Sequence, residues 1–145
     1  MKVLMVCLGN ICRSPLAHGI FEHLAAEKGL VIEVDSAGTG SWHVGNPPDR
    51  RSIAVSKKYG IDISKQRARQ FSAQDFDAFD KIFVMDNNNY KDVVKLAGDK
   101  TQASKVELFI PNSIVPDPYW DDTQFDPVFR LIEDRCHQIL DSLNK

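Results

Sequence analysis

An α/β fold, with a parallel sheet covered by helices on both faces, is what this sequence predicts. Three observations carry that prediction. Segments with the character of strands alternate with segments of helical periodicity from one end of the chain to the other. The chain has 145 residues, 43% of them apolar and 26% charged, which suits one globular domain with its own core. No internal repeat, low-complexity tract or Pro/Ser-rich linker interrupts it, so a single domain is expected over 1–145.

The elements follow in order. Val3–Cys7 is a short apolar run and reads as a buried strand. A polar loop comes next, and Pro15 is placed to open a helix, since proline fits a first helical turn. Leu16, Ile20, Phe21 and Leu24 share one face of that helix, and Gly29 is its expected stop. Val31–Asp35 reads as the second strand, followed by a loop rich in Gly, Ser and Pro from Ser36 to Pro48. Asp49–Tyr59 reads as a helix ending at Gly60, and Ser72–Asp75 resembles a helix-start box. Lys81–Met85 is the third strand, Asn87–Ala97 a helix ending at Gly98, and Val106–Phe109 the fourth strand. A proline-punctuated loop covers Pro111–Asp122. Asp126 is the expected cap of the last helix and Pro127 lies inside its start. Val128, Phe129, Ile132, Cys136, Ile139, Leu140 and Leu143 form its apolar stripe.

Charge and cysteine usage exclude several functions. Eighteen Lys+Arg against twenty Asp+Glu give a net charge of −2, which argues against non-specific nucleic-acid binding. Three cysteines do not make a secreted disulfide framework, so a reducing cytoplasm is expected. The first apolar run is far short of the roughly 20 residues a membrane span needs, and Asn10, Arg13 and Ser14 break any signal-peptide pattern.

In sheets of this kind ligands bind beyond the carboxyl ends of the strands. The first such loop reads Cys7-Leu8-Gly9-Asn10-Ile11-Cys12-Arg13-Ser14-Pro15 and runs straight from strand into helix. Such a loop can turn successive N–H groups inward as an anion-binding nest, and the helix terminus adds partial positive charge. Gly9 is expected to supply the unusual backbone angles. The same nest would favour a thiolate at Cys7, the form that acts as nucleophile. Arg13 presents a planar fork suited to two phosphoryl oxygens, and Ser14 can donate a hydrogen bond to the sulfur. Cys7, Cys12 and His18 lack the spacing of a structural zinc site, and neither nucleotide-loop signature is present, so no metal and no cofactor are expected.

Thiolate attack on a phosphate ester also needs an acid for the leaving oxygen. Asp117, in Pro116-Asp117-Pro118-Tyr119-Trp120, is the first candidate: it follows the fourth strand, at the same sheet edge as Cys7, and the two prolines stiffen its backbone. Asp121 and Asp122 are its rivals. His18, His23 and His137 are read as lying on solvated helix faces.

These segments resemble the low-molecular-weight protein tyrosine phosphatases. The likeness covers nearly the whole chain: the Cys7–Pro15 loop, Asp35-Ser36-Ala37-Gly38-Thr39, Gly45-Asn46-Pro47-Pro48-Asp49, Arg67-Ala68-Arg69-Gln70, Val84-Met85-Asp86 and Asp117-Pro118-Tyr119-Trp120. The resemblance implies a four-stranded parallel sheet flanked by helices, the phosphotyrosine protein phosphatase I-like fold, and metal-free hydrolysis through a phosphocysteine. It implies Cys7 as nucleophile, Arg13 as phosphate clamp and Asp117 as acid and base. Leu8, Gly9, Asn10, Ile11, Cys12 and Ser14 would complete the phosphate loop, and Asn10 and Ser36 would brace it. Cys12 resembles a second loop cysteine that can form a reversible disulfide with the nucleophile. Trp42, His43, Tyr119 and Trp120 would line the substrate cleft. A phosphoarginine-directed branch carries Thr at the position of Ile11, and many relatives carry tyrosine at that of Trp120. An arsenate reductase or a phosphoarginine phosphatase on the same scaffold is the alternative, but the reductase's two relay cysteines near the third strand are missing from Lys81–Asn89. The implied partners are phosphotyrosine proteins, with a tyrosine kinase as one candidate, acted on by a monomer that needs neither nucleic acid nor membrane.

Overall fold

The computed structural model describes residues 1–143. Four parallel strands form one sheet: β1 (Lys2–Cys7), β2 (Glu33–Gly38), β3 (Lys81–Val84) and β4 (Val106–Leu108), in the order β2-β1-β3-β4. β1 is covered after Lys2, with no exposed surface from Val3 to Val6. Its alternate residues feed two cores. Val3, Met5 and Cys7 face a layer built by α1 (Arg13–Glu27), α2 (Arg50–Lys58) and α6 (Phe125–Leu143). Leu4 and Val6 face Phe76 of α3 (Asp75–Ala78) and Val93 of α4 (Asn87–Val94). The predicted α/β sandwich is therefore the fold.

The order also locates the site. From β1 the chain crosses to β2 on one side, and it later enters β3 on the other. The loops leaving β1 and β3 diverge there and open a crevice at the carboxyl edge.

Several boundaries differ from expectation. α1 starts at Arg13, two residues before Pro15, and its N-cap residue Cys12 makes no side-chain cap. Pro15 stands at the third helical position, where its missing N–H costs no intrahelical bond. β2 is displaced towards Gly38, because Ser36, Ala37 and Gly38 stay in register with Met5, Val6 and Cys7. Val31, read as strand, is 93% exposed. α4 ends at Val94, after which Leu96 and Ala97 tighten into three-residue turns. A short helix, α5 (Lys100–Ala103), capped by Asp99, was not foreseen.

Of the Ser72 box only half is made: the Ser72 N–H donates to Asp75 Oδ2 at 2.9 Å, while the helix itself starts at Asp75. Two 3-10 turns, Pro118–Trp120 and Asp122–Gln124, lead into α6. Asp126 does not cap α6. It lies in the first turn, with its carboxylate taken by Lys58, Tyr59 and Arg130.

Candidate active site

The loop after β1 is held from outside by its own carbonyls. The C=O groups of Cys7, Leu8 and Ile11 accept from Thr39, Gly40 and Asp49 at 2.9, 2.9 and 2.8 Å. Among the described hydrogen bonds, the N–H groups of Leu8, Gly9, Ile11, Cys12 and Arg13 find no protein acceptor. Carbonyls out and amides free is the arrangement of an anion nest. The uncapped start of α1 has the same meaning: a side-chain cap would occupy donors that an anion can use.

The left-handed residue that bends this loop is Asn10, at φ 56°, rather than Gly9. Asparagine tolerates that region when its amide is tied locally. Here Nδ2 donates to Ser14 Oγ at 2.7 Å and Oδ1 accepts from the Arg69 N–H at 3.1 Å. Gly9 serves by its size, since a Cβ there would sit 3.1 Å from His43 Cδ2.

Cys7 Sγ lies in this frame, 3.3 Å from the Asn10 N–H and 3.1 Å from Ser14 Oγ. The Asn10 N–H donates to the sulfur, and because Ser14 Oγ already accepts from Asn10 Nδ2 its hydroxyl proton is free to point at the sulfur as well. Arg13 is only 4% exposed. Its Nη1 donates to Asp86 Oδ2 at 2.8 Å and to the Val115 carbonyl at 3.0 Å, and the described hydrogen bonds leave Nε and Nη2 without an acceptor. Burial pulls this guanidinium down, but Cys7, Asp86 and Asp117 outweigh it and raise it above its ordinary range. Cys12 is also raised, which for a thiol favours the neutral form. Burial first, then the charges of Asp49, Cys7 and Asp117, push its thiol up to about 12.

A cleft of about 280 Å³ opens above the sulfur. Cys7, Leu8, Gly9, Ile11, Cys12 and Arg13 line it from the first loop, Trp42 and His43 from the loop after β2, and Asp117, Tyr119 and Trp120 from the loop after β4. Asp117 caps the turn that follows it, accepting from the Tyr119 N–H at 3.1 Å. The family model for the low molecular weight phosphotyrosine protein phosphatases matches residues 2–145. The chain belongs to this family.

Individual phosphatases agree along the full length. The low molecular weight protein-tyrosine-phosphatase YfkJ of Bacillus subtilis is 44% identical over 152 residues, covering 100% of this chain and 97% of that protein. Its crystal structure superposes with a TM-score of 0.91 over 99% of this chain and 94% of that one, at 43% identity. The human low molecular weight phosphotyrosine protein phosphatase is 38% identical, over 97% of this chain and 94% of its own. A protein tyrosine phosphatase from Entamoeba histolytica, crystallised with Hepes in the active site, reaches a TM-score of 0.93 at 35% identity, covering 99% and 97%. The chain is thus a member of a family of protein-tyrosine phosphatases, which are phosphoric monoester hydrolases.

Within this phosphatase the predicted cleft residues do converge, with adjustments. Trp120 is 86% exposed and stands edge-on to Tyr119, so it forms rim rather than wall. Ser36 does not reach Asn10 among the described hydrogen bonds. Its Oγ pairs with His18 Nδ1 at 3.1 Å, and His18 is therefore not on a solvated face. His23 and His137 are exposed as expected. Sequence reasoning assigned no role to Asp86, which both caps α4 through the Asn89 N–H and holds Arg13. The only signal for it was an Asp directly after a strand and before a helix. Among the described residues no group of three or more His, Cys, Asp or Glu is placed to hold a metal ion, and no helix is long and apolar enough to cross a membrane.

Proposed function

We propose that this phosphatase hydrolyses phosphotyrosine in proteins through a phosphocysteine. One observation carries the reading: Cys7 Sγ lies in a loop of free N–H groups, and that loop shares its cleft with Arg13 and Asp117. The Cys7 thiolate attacks phosphorus in line with the tyrosine oxygen. The S–P bond forms as the P–O bond breaks, and protonated Asp117 gives its proton to the departing phenolate. The amides of Leu8, Gly9, Ile11 and Cys12 and the free edge of Arg13 hold the three equatorial oxygens, where charge builds in the transition state. Asp117, now a carboxylate, takes a proton from water. The resulting hydroxide equivalent displaces sulfur, releasing phosphate and restoring the thiolate with help from Ser14.

Trp42, His43 and Tyr119 set the cleft depth, so the long aryl phosphate reaches sulfur and a phosphoserine does not. Ile11 favours the same substrate over phosphoarginine. A monomer acting on phosphotyrosine proteins, a tyrosine kinase being one candidate, completes this reading. A reducing cytoplasm suits a mechanism that needs Cys7 as a free thiolate. Cys136, the one described cysteine outside the loop, is fully buried, so no relay supports arsenate reduction.

The test compares phosphotyrosine, phosphoarginine and phosphoserine peptides with vanadate as competitor. Turnover is expected for phosphotyrosine, blocked by vanadate. Cys7→Ser should abolish turnover while phosphate still binds; substantial residual activity in that variant removes Cys7 from the mechanism.

A further inference from the structure

The loop carrying Asp117 is exposed, yet it is tied across the cleft to the start of α2. The tie is Arg51. Its Nε and Nη2 take the two carboxylate oxygens of Asp49 at 3.0 and 2.9 Å, and its Nη1 reaches Asp122 Oδ1 at 2.5 Å. The same guanidinium lies 4.6 Å from the ring centroid of Phe125 and 5.3 Å from that of Tyr119. One planar cation thus touches Tyr119 inside the Pro118–Trp120 turn and Asp122 and Phe125 just beyond it. The far end of the tie is anchored as well. Asp49 caps α2 through the Arg51 N–H at 2.8 Å, and its own N–H donates to the Ile11 carbonyl of the phosphate loop at 2.8 Å.

We propose that Arg51 is a positioning residue that sets the distance between the Asp117 carboxyl and Cys7. The proposal rests on the reading of Asp117 as general acid. The line of connection is continuous: phosphate loop through Ile11 to Asp49, Asp49 to Arg51, Arg51 to Tyr119 and Asp122, and the Tyr119 N–H to Asp117. Arg51 touches no reacting atom. Arginine is required because a flat fork can grip Asp49 with two bonds, reach Asp122 with a third and still offer its faces to aromatic rings; an ammonium cannot do all of these. The Asp49 side is shielded, whereas Asp122 is 82% exposed, so the second half of the strap is the weaker one.

The test measures kcat/KM for a series of aryl phosphates of graded leaving-group acidity, with vanadate affinity as a reading of the phosphate loop. Asp117→Ala is expected to lower kcat/KM about a hundredfold for the poorest leaving groups and far less for the best. Arg51→Ala should copy that slope at about tenfold, because a misplaced acid is a weakened acid, and leave vanadate affinity unchanged. Arg51→Lys should not restore it. In an Asp117→Ala background, adding Arg51→Ala should change nothing more. Uniform slowing across all leaving groups, or full additivity with Asp117→Ala, overturns the strap. If Asp117→Ala itself shows no leaving-group dependence, the acid assignment has failed and the strap with it; that outcome is distinct from a sloped Asp117→Ala beside a flat Arg51→Ala. Should Arg51→Ala not fold, the exposed Asp122→Asn carries the test, with the same slope at about threefold expected and a flat response overturning the proposal.

Discussion

Two loops at one edge of the sheet face each other across the cleft, and they are built in opposite ways. The polar side chains of the loop after β1 are buried: Asn10, Arg13 and Ser14 have almost no exposed surface, and they bond within the loop, to fixed backbone and, from Arg13, to the one carboxylate of Asp86. The loop after β4 is exposed at Asp117, Tyr119 and Trp120 and is held by side chains of distant elements. The difference follows from what each must do. A nucleophile and its phosphate clamp need geometry fixed before substrate arrives, because donors that must reorganise stabilise the transition state less. An acid that must reach a leaving group of variable bulk can sit on a loop whose position is set by a few tethers. Damage to the first loop should therefore be severe and general. Damage to the second should be graded and dependent on substrate.

The largest expected effect tests the first half of that contrast. Arg13→Lys keeps the charge but loses the fork, so it cannot hold Asp86, the Val115 carbonyl and two phosphoryl oxygens together. A fall in kcat of about a hundredfold to a thousandfold is expected, equal across leaving groups. A loss confined to poor leaving groups would mean that the two loops do not divide the work in this way. Gly38→Ala comes next. A Cβ there would lie 2.8 Å from the Leu8 carbonyl oxygen and 3.1 Å from the Asn10 nitrogen, both backbone atoms that cannot swing aside. Denaturant unfolding should show a loss of about 1–3 kcal/mol, with reduced vanadate affinity as the nest deforms. Unchanged stability and affinity would show the first loop to be softer than its burial suggests.

How much of this was legible in the sequence follows the same division. β1, α6 and the nucleophile loop are local patterns, so Cys7, Arg13 and Ser14 could be placed from neighbours a few residues away. β2 was cut short because Ser36, Ala37 and Gly38 look like loop; Gly38 lacks a side chain where the phosphate loop packs against it, a cause that exists only after folding. Gly9 was credited with the bend that Asn10 makes, since glycine is the usual bearer of positive φ and the two ties that hold Asn10 there join it to Ser14 and to Arg69, 59 positions away. Asp86 was marked only by its place at a helix start, and the role of Arg51 not at all, for a related reason. Their decisive partners lie 73 and 71 positions off, and no spacing rule spans that distance.

The smallest expected effect lies outside both loops, where α1 packs on β2. His18, on α1, is only 13% exposed at its side chain, bonds Ser36 Oγ through Nδ1 and stands 3.6 Å from Glu22 through Nε2. Burial lowers its pKa below the ordinary 6.5, against the opposing pull of Glu22 and Asp35. The unfolded chain therefore takes up this proton at a higher pH than the native protein does. Where the unfolded state binds more protons, stability rises with pH, so the contribution of neutral His18 is fully present above 6.5 and is lost as pH falls towards the native value. His18→Gln keeps a hydrogen-bonding side chain and removes the titration. Its denaturation midpoint should follow that of the parent above 6.5 and decline less steeply below it. An unchanged slope would show that protonation at this position is not resisted, and that acid acts on the fold through other groups.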